Sequence, residues 1–181
     1  MSTYRVLTPP SPNKILNAHT GRNAAIGLIA TAVIIVILTS GVLCATSANG
    51  INKNLGNDPD YVPTPHTVSV ISESIVANPN GYYFTGFCVP EDALSPVLQG
   101  NFTSTGNSTN NSVIVTVWSQ TNFINWLNGR QSTPCYNKDL MPMVTGNINV
   151  TLSSGQYFIV FGSASMEAKK VLAQIDLTYS K

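Results

Sequence analysis

Residues 24–46 form a run of 23 without a charged side chain, close to the start of a chain of 181 residues. Nothing else in the sequence constrains the fold as strongly. A helix rises about 1.5 Å per residue and the hydrocarbon core of a bilayer is roughly 30 Å thick, so about 20 apolar residues span it. The stretch from Ala24 through Ile34-Ile35-Val36-Ile37-Leu38 meets that length before its end at Val42-Leu43-Cys44, and no charge falls between Arg22 and Lys53. A secretory leader has a shorter apolar region, about 7–15 residues. Cleavage after Ala45-Thr46-Ser47 or Thr46-Ser47-Ala48 stays open as an alternative, but the length favours an uncleaved anchor. Cys44 does not read as a lipidation site, because the bulky Leu43 precedes it.

The flanking charges orient the span. Residues 1–22 carry Arg5, Lys14 and Arg22 and no acid, whereas all eight acids of the chain lie beyond it. Basic residues stay on the cytoplasmic side, which puts the N-terminus inside and the C-terminal part outside the cell membrane. The expected organisation is a cytoplasmic tail (1–22), a transmembrane helix (23–46), a stalk rich in proline and asparagine (47–65) and an extracytoplasmic domain (66–181). Asp58-Pro59-Asp60-Tyr61-Val62-Pro63-Thr64-Pro65 cannot run as a central strand, since proline lacks the donor. Only 9% of residues are charged, so the outer part draws its solubility from Asn, Gln, Ser and Thr. Basic residues this few give no footprint for nucleic acid.

From residue 66 onward the pattern is β. Val113, Val115 and Val117 alternate with Ile114, Thr116 and Trp118. Ile148, Val150 and Leu152 alternate with Asn147, Asn149 and Thr151, and Val171, Ala173, Ile175, Leu177 and Tyr179 with Leu172, Gln174, Asp176 and Thr178. Period two with one polar face marks half-buried antiparallel strands. Tyr157-Phe158-Ile159-Val160-Phe161 is apolar on both faces and suits a central strand. With further strands at 67–76, 81–89 and 94–105, the reading is a mainly β domain, an antiparallel β-sandwich of about seven strands. One segment breaks the rhythm. Over 121–129, Phe123, Trp126 and Leu127 fall at i, i+3 and i+4, behind the capping-type Thr121 and before Asn128-Gly129. This spacing predicts a short helix closed by Gly129, its aromatics either capping the core or forming an interaction surface.

Cys88 and Cys135 are the two cysteines beyond the span. In an oxidising compartment such a pair is expected to form a disulfide. Four sequons begin at Asn101, Asn107, Asn110 and Asn149, and the last falls on a predicted polar strand face, as a glycan acceptor must. Within the span, Gly27 and Thr31 are spaced as small-xxx-small and Gly41 adds a further close-approach point, a pattern that suits helix packing against a partner.

Catalysis is not expected. A Ser-His-Asp triad needs an external histidine, and the two histidines are His19, in the tail, and His66, at the end of the stalk. Glu91-Asp92 read as turn acids and Glu73 as a solvent-facing strand residue. A blue-copper site needs two histidines, a cysteine and usually a methionine. One external histidine cannot supply it, and Met141-Pro142-Met143 reads as loop filler. No cofactor is expected.

The order Leu98-Gln99-Gly100-Asn101-Phe102-Thr103, then 113–118, then 122–129, then Gly155-Gln156-Tyr157-Phe158-Ile159-Val160-Phe161, and finally Leu177-Thr178-Tyr179 resembles small prokaryotic, archaeal-type single-pass envelope proteins. Their outer part is a jelly-roll sandwich like the Golgi-dynamics (GOLD) domain. The asparagine that follows the aromatic strand in that pattern is absent here, where Gly162-Ser163-Ala164-Ser165 stands. The resemblance covers residues 66–181. It implies a non-catalytic interaction module and carries over no functional residue. The expected role is an accessory or structural subunit of a membrane or cell-surface complex, with the bilayer and protein partners engaged through the helix or the sandwich. A pilin-like filament subunit is the alternative, and a redox or metal-binding sandwich the next.

Overall fold

The computed structural model describes residues 62–106, 111–137, 143–163 and 165–181. The expected tail, transmembrane helix and most of the stalk, with Gly27, Thr31 and Gly41, lie outside the described residues, as do Asn107 and Asn110. Among the described residues no helix is long and apolar enough to cross a membrane.

Among the described residues, eight strands and one helix follow in the order β1 (Pro65–Ala77), β2 (Tyr82–Val89), β3 (Leu94–Thr105), β4 (Ile114–Ser119), α1 (Gln120–Leu127), β5 (Tyr136–Asn137), β6 (Thr145–Thr151), β7 (Gly155–Gly162) and β8 (Lys169–Ser180). They build two four-stranded sheets, ordered β1-β8-β3-β6 and β2-β7-β4-β5. Every pairing is antiparallel. The sequence foresees all of these strands except β5, whose two residues are too short to show a period.

The first sheet behaves as its alternation requires. Ile71, Ile75, Leu98, Phe102, Ile148, Val171, Ala173, Ile175 and Leu177 are buried, while Gln99, Asn101, Asn147, Asn149 and Gln174 are exposed on the other face. The inward residues pack against Phe87, Val89, Val115, Val117, Tyr157, Ile159 and Phe161 of the second sheet in one core. Phe102 meets Phe161 edge-on across it, at 5.7 Å between ring centroids. That is the geometry aromatic quadrupoles prefer. Proline is tolerated at Pro65 because β1 is an edge strand and Pro65 is its first residue.

The second sheet is buried on both faces. Its outer side chains, Trp118, Phe158 and Val160, form a second core with Phe123 and Trp126 of α1, and Phe84 packs against it. Strand β7 is therefore central in the sheet and covered on both sides, as its apolar run foretells. Strand β4 departs from its expected polar face. Thr116 and Trp118 are buried, and the Thr116 hydroxyl accepts a 2.7 Å bond from the Trp118 indole N–H, so the polar atoms under the helix are satisfied.

Helix α1 begins two residues before the position that Thr121 suggested as cap. Ser119 is the N-cap, its side chain accepting from the Asn122 amide. The other end closes as the sequence indicates. Gly129 takes φ +68°, the Arg130 amide donates to the Asn125 carbonyl and the Gly129 amide to the Trp126 carbonyl. These are the two bonds of a glycine-closed helix terminus.

Candidate functional site

The sandwich has two ends and one open face. At the first end the Thr64 and Lys181 backbones bond to each other in both directions, so the chain enters and leaves side by side. His66 stacks on Tyr179 at 5.3 Å. The Lys181 ammonium lies 5.8 Å from the Tyr179 ring and 3.1 Å from Asp92. Both partners of that ion pair are more than a third exposed, so it adds little stability. These contacts fasten the start of β1 to the end of β8, and they account for His66, which the sequence places at the edge of the expected stalk.

The open face is the outer side of β1-β8-β3-β6. Register sets Asn149 opposite Gln99, Gln99 opposite Asp176, and Asp176 opposite Ser69; one step along, Asn147, Asn101, Gln174 and Ser72 form a second row. The face is polar and carries little charge. It hydrogen-bonds without the strong desolvation cost of buried ions. The two described sequon asparagines, Asn101 and Asn149, both stand on it and both are exposed. Each shares its face with the threonine of its sequon, Thr103 and Thr151, two residues on. They are diagonal neighbours on β3 and β6, a separation of about 7–8 Å.

The second end holds the loops after β1, β3 and β7. A shallow cavity of about 410 Å³ opens there between Val76, Thr105, Gly106, Ala168 and Lys170. Beneath it lies a set of buried polar groups. Lys169 is 0% exposed, with Glu167 3.8 Å from its ammonium. Ser104 Oγ and Asn111 Oδ1 are buried with no hydrogen-bond partner. The alternation of β8 contains the signal for Lys169, since two steps back from Val171 the period puts residue 169 on the inward face.

Other expected site residues are separated by the fold. Cys135 is a free, exposed thiol, and the expected Cys88–Cys135 disulfide is not formed. The reason is topological. Cys88 lies in β2 at one edge of its sheet, and residue 135 immediately precedes β5 at the other, with β7 and β4 between. Three strand spacings of about 4.8 Å amount to roughly 14 Å, whereas bridged Cα atoms stand within about 7 Å. Phe123, Trp126 and Leu127 do not form an interaction surface either. Phe123 and Trp126 are buried and Leu127 half-buried, because Phe84, Phe158 and Val160 need a cover. The helix shows Ile124 to solvent instead. Glu73 is exposed, as expected. Among the described residues no three His, Cys, Asp or Glu side chains gather closely enough to hold a metal ion.

Four tyrosines, Tyr82, Tyr83, Tyr136 and Tyr157, have hydroxyls pushed above the usual value of 10.0, each chiefly by burial. At Tyr83 the Glu73 carboxylate adds to the rise. Unfolded tyrosines ionise near 10.0 while the folded ones hold their protons higher. Between those values the unfolded state binds fewer protons, and stability falls as pH rises. Unfolding midpoints in urea are therefore expected to be flat with respect to these groups below about pH 9. They should drop above pH 10, and Tyr157→Phe should make the drop shallower. An equally steep drop in that variant would refute the assignment to Tyr157.

No family model matches this chain, and no curated protein matches it.

Proposed function

We propose that this protein is a membrane-anchored, non-catalytic interaction module outside the cell membrane. It serves as an accessory or structural subunit of a membrane or cell-surface complex. Its outer domain is a jelly roll of the GOLD-like kind, the architecture in which eight strands wrap as two sheets ordered 1-8-3-6 and 2-7-4-5. The observation that carries the reading is the pairing of Thr64 with Lys181. It ties the side of the domain nearest the apolar segment to one end of the sandwich. A chain anchored through residues 23–46 then turns its second end, and the sparsely charged polar face beside it, away from the bilayer. Asn101 and Asn149 carry glycans on that face, which adds solubility to a chain with few charges.

The test is to solubilise the native membrane in mild detergent, size the particle that holds this chain and identify its co-migrating proteins by mass spectrometry. A defined large particle with stoichiometric partners is the expected result. A lone chain of monomer size would refute the subunit role. Peptide masses from the same sample should show added hexose or hexosamine at Asn101 and Asn149; bare asparagines at both would remove the glycan assignment.

A further inference from the structure

The three cysteines of the chain, Cys44, Cys88 and Cys135, are not in the same state. Cys135 is a free, exposed thiol, whereas Cys88 is held in a disulfide. Three cysteines in an oxidising space leave one over from a pair. With Cys135 set aside, the partner of Cys88 is Cys44 of the same chain or a cysteine of a second copy.

The fold brings Cys88 to the end at which the chain enters. Strand β1 runs from the first end of the sandwich to the second and β2 returns, so Cys88, next to last in β2, lies back at the end where Thr64 pairs with Lys181. Strand β2 is an edge strand. Phe87 and Val89 point into the core between the sheets, so period two turns Cys88 to the outer side of its sheet, where it is half-buried. The sequence brings Cys44 to the same end. The 20 residues from Ala24 to Leu43 carry no charge, and at about 1.5 Å each they cover the roughly 30 Å of a bilayer core. Cys44 follows them on the outer side. Between it and Thr64 lie 19 residues, and at about 3.3–3.6 Å per extended residue they leave ample slack for a return to β2. A tether of this kind gives an effective concentration of roughly millimolar order, which favours a bond within one chain over one between copies.

We propose that Cys44 and Cys88 form a disulfide that holds the first end of the sandwich against the outer surface of the membrane. The proposal rests on the anchored reading given above. One thiolate attacks the disulfide of an oxidised dithiol carrier in the outer compartment, and the second thiolate then displaces the carrier from the mixed disulfide. The two cysteines give up two protons and two electrons, and the carrier leaves as a dithiol. The bond closes a ring of 45 residues and takes up the slack of the stalk. The domain then stands beside the bilayer with β2 nearest to it, and the partners within its reach are those that lie close to the membrane surface.

The test is thiol trapping on the full chain. Native membranes are alkylated with N-ethylmaleimide before solubilisation, the chain is purified in detergent without reductant, and its peptides are sequenced by mass spectrometry. The expected result is a monomeric chain alkylated at Cys135 alone, with the peptide containing Cys44 joined to the one containing Cys88 and the joined mass lower than their sum by two hydrogens. Cys135→Ser should keep that joined peptide, and Cys44→Ser should turn Cys88 into a second alkylated thiol. A Cys88–Cys135 peptide, or Cys88 joined to a second copy, overturns the proposal. Cys44 recovered as an alkylated thiol in the wild-type chain overturns the bond and leaves the anchor standing. A chain whose first residue lies beyond Cys44 overturns the anchored reading and the bond together.

Discussion

Gly100→Ala is expected to abolish the folded state. Gly100 lies in the middle of β3 with φ +155°, a backbone conformation that side chains rarely adopt. A Cβ there would stand 2.1 Å from the Gln174 carbonyl oxygen and 2.7 Å from the Ile175 Cα. Both are backbone atoms of β8 and have no rotamer into which to retreat. Relief requires β3 and β8 to part, and these strands are the two inner members of their sheet. Opening them exposes Leu98, Phe102 and Ile175, each almost fully buried. Single substitutions that cost more than about 4–5 kcal/mol are exceptional and come from strain of this sort. Against a total stability of about 5–15 kcal/mol, such a loss leaves little folded protein. Gly129→Ala is the control. It also has positive φ, +68°, yet nothing lies within 4 Å of the added carbon, so it should cost only about 1–2 kcal/mol. Far-ultraviolet circular dichroism and urea unfolding of both variants decide the matter. A Gly100→Ala protein as stable as Gly129→Ala would mean that the two strands part at little cost.

What the sequence discloses follows from the length over which a signal repeats. The strands β3, β6, β7 and β8 are legible because period two persists through their whole length, and the sandwich follows from their number and spacing. The two-faced burial of β4 is not legible. Thr116 and Trp118 look like a solvent face until α1 is placed over them, and that placement is a tertiary fact. The same fact withdraws Phe123 and Trp126 from the surface. The disulfide failed for a related reason. Two cysteines outside a membrane span argue for a pair, but the order β2-β7-β4-β5 separates them, and strand order is not written in local periodicity. Conversely, the inward position of Lys169 can be read by extending the β8 alternation backwards. Its place beside Gly106 and Asn111 cannot, because 57 residues of chain lie between Asn111 and Lys169. The solvent-facing place of Asn149 needs only the phase of its strand, and the residue is exposed.

The helix that caps the second core is also where a single truncation should cost most in it. Phe123 is 0% exposed and stacks on Phe158 with 4.3 Å between centroids and 14° between planes. It also touches Phe84 at 5.1 Å and Trp126 at 5.9 Å. Removing a buried phenylalanine ring costs about 3–5 kcal/mol in transfer and cavity energy, and the stacked pair adds about 0.5–1.5 kcal/mol. Collapse cannot refill the space readily, because the surrounding rings belong to strands fixed by pairing. A helix of eight residues is also too short to persist on its own, so α1 exists only as far as Phe123 and Trp126 hold it down. Phe123→Ala should therefore lower stability by about 3–5 kcal/mol and free α1 from the sheet. Trp118, Phe158 and Val160 would then meet water while the inner core between the sheets stays closed. The expected signature is a lower urea midpoint, loss of the near-ultraviolet tryptophan signal and retained β circular dichroism in the absence of denaturant. Ile124→Ala, on the solvent side of the same helix, should change stability by no more than about 0.5 kcal/mol. If both variants unfold at the same midpoint, the second core contributes no stability and α1 is an ornament on a sheet that stands without it.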